Sequence, residues 1–527
     1  MLHQPAERVP RQSTRSTEEY QQKDSQTLSP FRTPAGSTKK LLIARWRPGV
    51  ISPFKDGSGE LHRLCCYYYT PEKAGGKRPC RHEFDSLTQA TRAPKVVSPF
   101  MKKRGLHPFL FAFFSFLLLL HIMLFWRAKD DALKGSADFS AFYSAAKMVQ
   151  NGQGPQLYNI AAQGRIQSAL YPNVPTRNGT LIYDHPPFEA LLYLPLAYVS
   201  YPVAFVLWAI INVLVLLLTV ALLSPYMTEL KAIWTPLPVL IFLGFFPVFI
   251  DLLQGQDSIL LLLVFALVFV SLKKGHDLRG GFFLALGLFK FQYTLPFLIP
   301  FILWRRWKVV GGFAISSAIL FLLSLPVAGF QGTLSYATFL SNLVKGLSSH
   351  HVQHALGILS NTMPNIRGTV EMLGPSLLHH GYQKPVIVLL SGVAVLWAVM
   401  NWPLSRTLSE RTFDLGFSLA LVVSILVSYH LQLHDLSLLL IPFILALNHT
   451  LKGQNDTGRW RFALYGIVAL FFLSPLYLWL MQRGQVYLFC WPILFFLLVL
   501  SREIVSPGNV GEDPGRENAP GSGANVT

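Results

Sequence analysis

Charge is what this sequence has least of. Of its 527 residues only 14% are Asp, Glu, Lys or Arg, while 51% are hydrophobic; an average soluble domain carries roughly a quarter charged residues. A deficit of that size, spread over most of the chain, excludes a string of soluble domains and points to a membrane protein. Acidic charge is scarcer still: 27 Asp and Glu stand against 45 Lys and Arg, a net charge of +18. No compact basic domain accounts for that excess. It is divided between an N-terminal stretch and short loops between apolar runs, which suits membrane lipids with anionic headgroups and the positive-inside rule and excludes nucleic acid as the partner. Cysteine is nearly absent, at four residues: Cys65, Cys66, Cys80 and Cys490. His62 and His82 lie near the first three, but the spacing fits no standard zinc pattern and no metal is assigned there.

Residues 1–100 lack any sustained helical or strand period and are rich in Arg, Ser, Thr, Pro and Gln, the composition of a disordered basic extension. Met101-Lys102-Lys103-Arg104 then leads directly into an apolar run from Leu106 to Trp126. A basic segment before a long apolar run is how a signal-anchor begins, and no small-residue cleavage site follows. The expectation is that translation starts at Met101. A peptide from residues 1–100 recovered from the native protein would refute it. Residues 101–502 are read as one membrane domain and 503–527 as a disordered cytoplasmic tail.

A spanning helix needs about 20 mostly apolar residues. Candidate spans are 106–126, 202–223, 235–250, 258–272, 309–329, 385–403, 412–429, 434–449, 461–480 and 486–501. Two stretches are irregular: 187–200 is short and bounded by prolines, and 279–304 is interrupted by Lys290 and Pro296. Basic loops at Lys273-Lys274 with Arg279 and at Arg305-Arg306-Trp307-Lys308 flank the second stretch. If both are cytoplasmic, 279–304 starts and ends on one side, as a pair of short helices with its tip near Lys290. The same parity makes 187–200 re-entrant or adds a crossing. The count is about twelve. The other side then collects the long loop 127–186, the segment from Asp251 to Asp257, Lys290, the loop 330–384 and the segment from His430 to Asp435. Ionisable residues at membrane depth are costly to bury and are functional candidates by default.

The loop 127–186 contains Ser136-Ala137-Asp138-Phe139-Ser140-Ala141-Phe142-Tyr143 and an amphipathic helix, roughly 139–151, whose Phe139, Phe142, Tyr143, Ala146 and Val149 share a face and suit the membrane interface. The plain reading of Asp138 is an N-cap on that helix. Lys290 reads plainly as a lysine snorkelling from a helix end. Gln254 and Gln256 can satisfy backbone groups where a helix breaks. His185 can shape the turn into the membrane, and His434-Asp435 can be a buried structural pair. His350, His351 and His354 form a scatter more typical of a solvated loop than of a metal site.

Several motifs occur in order. Asp138-Phe-x-x-Phe-Tyr-x-Ala-Ala is followed by Gly-x-Gly-x-x-Leu-Tyr at 152–158 and His185-Pro-Pro-Phe188. Gln254-Gly255-Gln256-Asp257 opens a span, Gly281 precedes Lys290-x-Gln292, and Arg305-Arg306-Trp307 closes that segment. Asn361 with Arg367-Gly368 and then His434-Asp435-Leu436 complete the series. This order resembles a bacterial family, the DUF2029 or glycosyltransferase family 87 type of polyprenol-phosphate-mannose-dependent mannosyltransferase. The resemblance covers roughly 106–500; Thr362-Met363-Pro364 departs from the family's Asn-x-Ser-x-x-Gly wording, and nothing in 1–100 or after 502 matches.

The resemblance implies an all-α polytopic protein of the GT-C kind, in the bacterial inner membrane, with its active site on the outer face. It implies transfer of a sugar from a polyprenyl-monophosphate donor to a lipid or glycan acceptor, with inversion at the anomeric carbon. Mannose is the sugar carried by the family name; arabinose and glucose remain alternatives. Asp138 matches the family's catalytic Asp and becomes the general base. Lys290 is the first candidate for the donor phosphate, with His434 and His185 as further donors. Tyr143, Asp184, Gln254, Gln256, Asn361 and Asp435 are expected to line the substrate site. No cofactor is demanded, although Asp138 and Asp184 can help to hold a divalent cation. The alternative class is a transporter or flippase of a lipid-linked sugar, which also uses polar residues in broken helices. No repeat relates the two halves of the sequence, and the long Asp-bearing loop has no evident use in a transporter.

Overall fold

The computed structural model describes residues 106–172, 174, 180–346, 359–377, 380–402, 409–452 and 459–505. Residues 1–100, Met101, Cys65, Cys66, Cys80, His350, His351 and His354 lie outside the described residues, as do 506–527. The described residues contain helices and no strand. Seven helices are long and apolar enough to cross a membrane, or up to nine if each of two bent pairs counts as one span. Large apolar side chains stand exposed along them, among them Phe109, Leu214, Leu322 and Val388. Water penalises such a belt and lipid does not. The chain is an all-α polytopic membrane protein. The expected count of about twelve also included Ser258–Lys273 and 412–429. The first is a helix of 16 residues, and the second lies within Glu410–Val427, which carries Glu410, Arg411 and Asp414. Neither reads as a span by length and composition.

The helices that position the site are α1 (Leu106–Asp131), α2 (Phe139–Gln150), α3 (Tyr201–Leu223), α4 (Phe246–Gln254), α5 (Ser258–Lys273), α6 (Asp277–Leu286), α7 (Phe291–Leu303), α8 (Trp307–Gly346), α9 (Ile366–Leu377), α10 (Glu410–Val427) and α11 (Leu440–Lys452). A 3-10 turn, Gly287–Lys290, joins α6 to α7. Together these cover 277–303, long enough for one crossing. A straight helix of that length would separate its ends by about 40 Å at 1.5 Å per residue. Yet Asp277, at the start of α6, accepts from Arg306, three residues past the end of α7, at 2.9 Å. The segment therefore doubles back, with Lys290 at its tip. Gly281 and Gly312 permit the close crossing of α6 and α8: a Cβ at either position would collide with a carbonyl oxygen of the other helix, Val309 or Leu278.

Polar side chains gather at two ends. At one, Lys273 pairs with Asp414, His449 meets Asp414 at 2.8 Å, and Asp277 holds Arg306. At the other lie Asp257 and Ser258 at the head of α5, Lys290 at the hairpin tip, and Asp435 just before α11. Helices α5 and α11 each run from one cluster to the other, and α10 carries Asp414 near its first turn and leads into Ser428 and Tyr429 beside the second cluster.

The long loop folds on its own aromatic core. Phe139, Phe142, Tyr143, Tyr183, Tyr193, Tyr201, Phe205 and Trp208 pack together with Val327 and Ala328 of α8. Helix α2 is covered on nearly every side, with nine of its 12 residues buried. The sequence suggested a helix lying in the membrane interface; the 3-10 turn Leu194–Tyr198 and the helix Ile160–Leu170 cover its second face. The stretch Pro187–Tyr198 is three short helical turns packed on α2, too short to cross and held with the loop 127–186.

Candidate active site

Asp138 stands at the N-cap position of α2, but its side chain makes no capping hydrogen bond. It points elsewhere: its Oδ2 accepts from Gln256 Nε2 at 2.8 Å. The backbone N–H of Asp138 donates to Gln254 Oε1 at 3.3 Å. The capping explanation of this aspartate therefore fails, and both glutamines of the Gln-Gly-Gln-Asp motif are spent on placing it. The turn that carries them depends on Gly255, which ends α4 in the left-handed conformation at φ 63°. A Cβ there would lie 2.7 Å from Phe139 Cβ. Gly255→Ala is expected to destabilise the fold by more than about 1 kcal/mol and to lower activity by shifting Gln256 away from Asp138; unchanged melting and turnover would refute this. Gln256→Ala, which removes one bond to a charged acceptor worth about 1.5–3 kcal/mol, is expected to slow turnover by roughly tenfold or more, measured as initial rate.

Asp257 begins α5 and is wholly buried. Its Oδ1 lies 2.7 Å from Lys290 Nζ, and Lys290 also donates to Asp435 Oδ1 and to Ser258 Oγ, each at 2.6 Å. Ser258 in turn donates to Asp435 at 2.7 Å. Lys290 is 3% exposed. It does not snorkel: its ammonium is held among Asp257, Asp435 and Ser258. A phosphate, the partner first expected for it, would compete with these carboxylates. Asp435 closes a capping box with Gln432, accepting from that residue's N–H at 2.9 Å. His434 is buried beside it, 3.6 Å from its carboxylate and within electrostatic range of Asp138, Asp257 and Lys290.

His185 enters from the end of the loop 127–186. Its Nδ1 faces Glu189 Oε2 at 2.6 Å and Asp257 Oδ2 at 3.7 Å, while Nε2 faces Asp184 at 3.6 Å. Phe142 packs edge-on against the imidazole, with ring centroids 5.0 Å apart. Burial alone would lower the His185 pKa, but Glu189, Asp257 and Asp184 outweigh it and hold the imidazole up at about 9. Burial raises Glu189 to about 8, with Asp257 adding to the rise and His185 opposing it. His185 is partly accessible and Asp184 is 35% exposed, so this edge of the cluster faces outward.

The expected residues thus divide. Asp138, Gln254, Gln256, Asp184, His185, Lys290, His434 and Asp435 form one connected cluster. Tyr143 does not join it: it is 2% exposed and its hydroxyl donates to the Val199 carbonyl at 2.6 Å within the aromatic core. Asn361 lies beside Gly484, in a different contact. The asparagine that organises that region is Asn365, whose side chain donates to the Ser428 carbonyl and accepts from Gly368 N–H, both at 2.8 Å. Asn365 precedes Gly368 by three residues, a turn spacing visible in the sequence. Glu189 was missed as well; its signal was a lone acid in the apolar stretch 187–200. Asp257 was visible in its motif but had no role until its partners were located.

A cluster of a half-buried aspartate, paired buried carboxylates, a lysine and histidines is the candidate active site of this polytopic membrane protein. The family model for glycosyltransferase family 87 matches residues 183–429, in agreement with the family resemblance drawn from the motifs, and supports a membrane glycosyltransferase. The match takes in Asp184, His185, Gln254, Gln256 and Lys290, whereas Asp138, His434 and Asp435 fall outside it. No curated protein and no solved structure matches the chain.

Proposed function

We propose that the protein transfers a sugar, mannose in the first instance, from a polyprenyl-phosphate donor to a lipid or glycan acceptor at the outer face of a bacterial inner membrane. The observation that carries this is Asp138: it occupies a capping position without capping and is aimed by Gln256 instead. In the proposed step the acceptor hydroxyl gives its proton to Asp138. The acceptor oxygen forms a bond to the anomeric carbon from the face opposite the phosphate, and the carbon–oxygen bond to the phosphate breaks. Polyprenyl phosphate leaves with the electron pair, and the anomeric configuration inverts.

Lys290 serves as a positioning residue. Its ammonium holds Asp257 and Asp435, and Asp435 in turn lies 3.6 Å from His434, which is within electrostatic range of Asp138. The leaving phosphate needs donors as its charge develops; His185, beside Asp184 on the partly exposed edge of the cluster, is one candidate, and the buried His434 is a second.

The test supplies purified protein with labelled polyprenyl-phosphate-mannose and lipid or glycan acceptors. Transfer that disappears in Asp138→Ala is the expected result. Full transfer in that variant would refute the mechanism. Movement of intact donor across liposomes, without transfer, would replace the reading with a flippase.

A further inference from the structure

We propose that His185, Glu189 and Asp257 form a divalent-cation site. One ligand atom of each lies within 4.8 Å of those of the other two. The arrangement is built rather than incidental. Glu189 and Asp257 are both wholly buried. Glu189 Oε1 and Asp257 Oδ2 meet no hydrogen-bond donor among the described residues. Leaving such oxygens without a positive partner is expensive.

The chemistry selects the class of ion. One imidazole nitrogen and two carboxylates suit Mn2+, Mg2+ or Zn2+ and do not suit a soft thiophilic metal. The geometry around the ligands also fits. His185 would bind through Nδ1, which already faces Glu189 at 2.6 Å and Asp257 at 3.7 Å. Its other nitrogen faces Asp184 at 3.6 Å, an approach that could close into the carboxylate contact that orients metal-bound imidazoles. Asp257 can serve two cations at once, because Oδ1 faces Lys290 and Oδ2 faces His185. Four carboxylates, Asp184, Glu189, Asp257 and Asp435, share Lys290 and His185 as their basic partners, so the cluster can take a further cation. The partly exposed Asp184 and His185 give the ion its way in.

The ion also resolves the difficulty left by Lys290. A departing phosphate needs positive charge, the lysine is held by two carboxylates, and an ion at this edge supplies that charge. This second role rests on the proposed reading as a polyprenyl-phosphate-dependent transferase; the ion site itself does not.

The experiment strips the full-length protein in nanodiscs with EDTA and titrates Mn2+, following free Mn2+ by EPR, with thermal melting on the same samples. Binding of about one ion per chain and a melting point raised by Mn2+ are expected. Glu189→Gln and His185→Gln should weaken that binding by roughly tenfold or more. Should either variant fail to fold, Asp184→Asn at the open edge replaces it, with the same direction expected. Failure of the wild type to bind Mn2+, Mg2+ or Zn2+ at millimolar concentration overturns the site, and so does undiminished binding in the folded variants. Polyprenyl phosphate binding is then measured with and without the ion. Tighter binding with the ion supports the second role; equal binding overturns that role and leaves the ion site standing.

Discussion

Asp138→Asn is expected to lower the rate of sugar transfer by roughly two to four orders of magnitude, the usual contribution of a positioned general base. The amide keeps the shape of the side chain and can still meet Gln256, so the loss comes from basicity. Stability should hold. Asp138 makes no capping bond, so α2 forfeits none of the roughly 1 kcal/mol that removing a true cap costs. The paired measurement is therefore turnover beside melting temperature. A large loss of turnover with unchanged melting is the signature of the base. Equal loss of both would return Asp138 to a structural role, and undiminished turnover would remove it from the mechanism.

Lys290→Met is expected to produce the largest loss of stability, about 3–5 kcal/mol, because it leaves Asp257 and Asp435 buried without their counter-charge. The distances of 2.7 and 2.6 Å and the 3% exposure of the lysine place this pair of contacts in the buried regime, where surface screening is small. The double variant Lys290→Met with Asp435→Asn should recover part of the loss, since it removes one of the two stranded charges. Chemical or thermal melting in detergent reads both. A single variant as stable as the wild type would show that the carboxylates take up protons at little cost, and that Lys290 is free for substrate after all.

Much of the fold was legible in the sequence because lipid imposes a one-dimensional rule: a crossing must be apolar along its whole length. The hairpin 277–303 was legible for a second reason, the basic residues at both of its ends, and the Asp277–Arg306 contact brings those ends together. What escaped was lateral. Tyr143 lies on the apolar face of an amphipathic helix, and nothing in its spacing distinguishes a hydroxyl that meets a substrate from one that donates to Val199. Asn361 and Asn365 sit in one short motif, and only the position of Ser428 selects between them.

By itself, then, the sequence determined that this chain is a polytopic helical membrane protein, because apolar length is a local property. It also pointed to Asp138, through the order of its motifs. Only the tertiary structure decided that Asp138 is aimed rather than capping, that Lys290 is consumed by two aspartates, and that His185, Glu189 and Asp257 converge. Those outcomes depend on side chains separated by up to 145 residues, Lys290 and Asp435, meeting within one hydrogen-bond length. Burial then makes each such meeting obligatory, since a charge removed from water must find its partner.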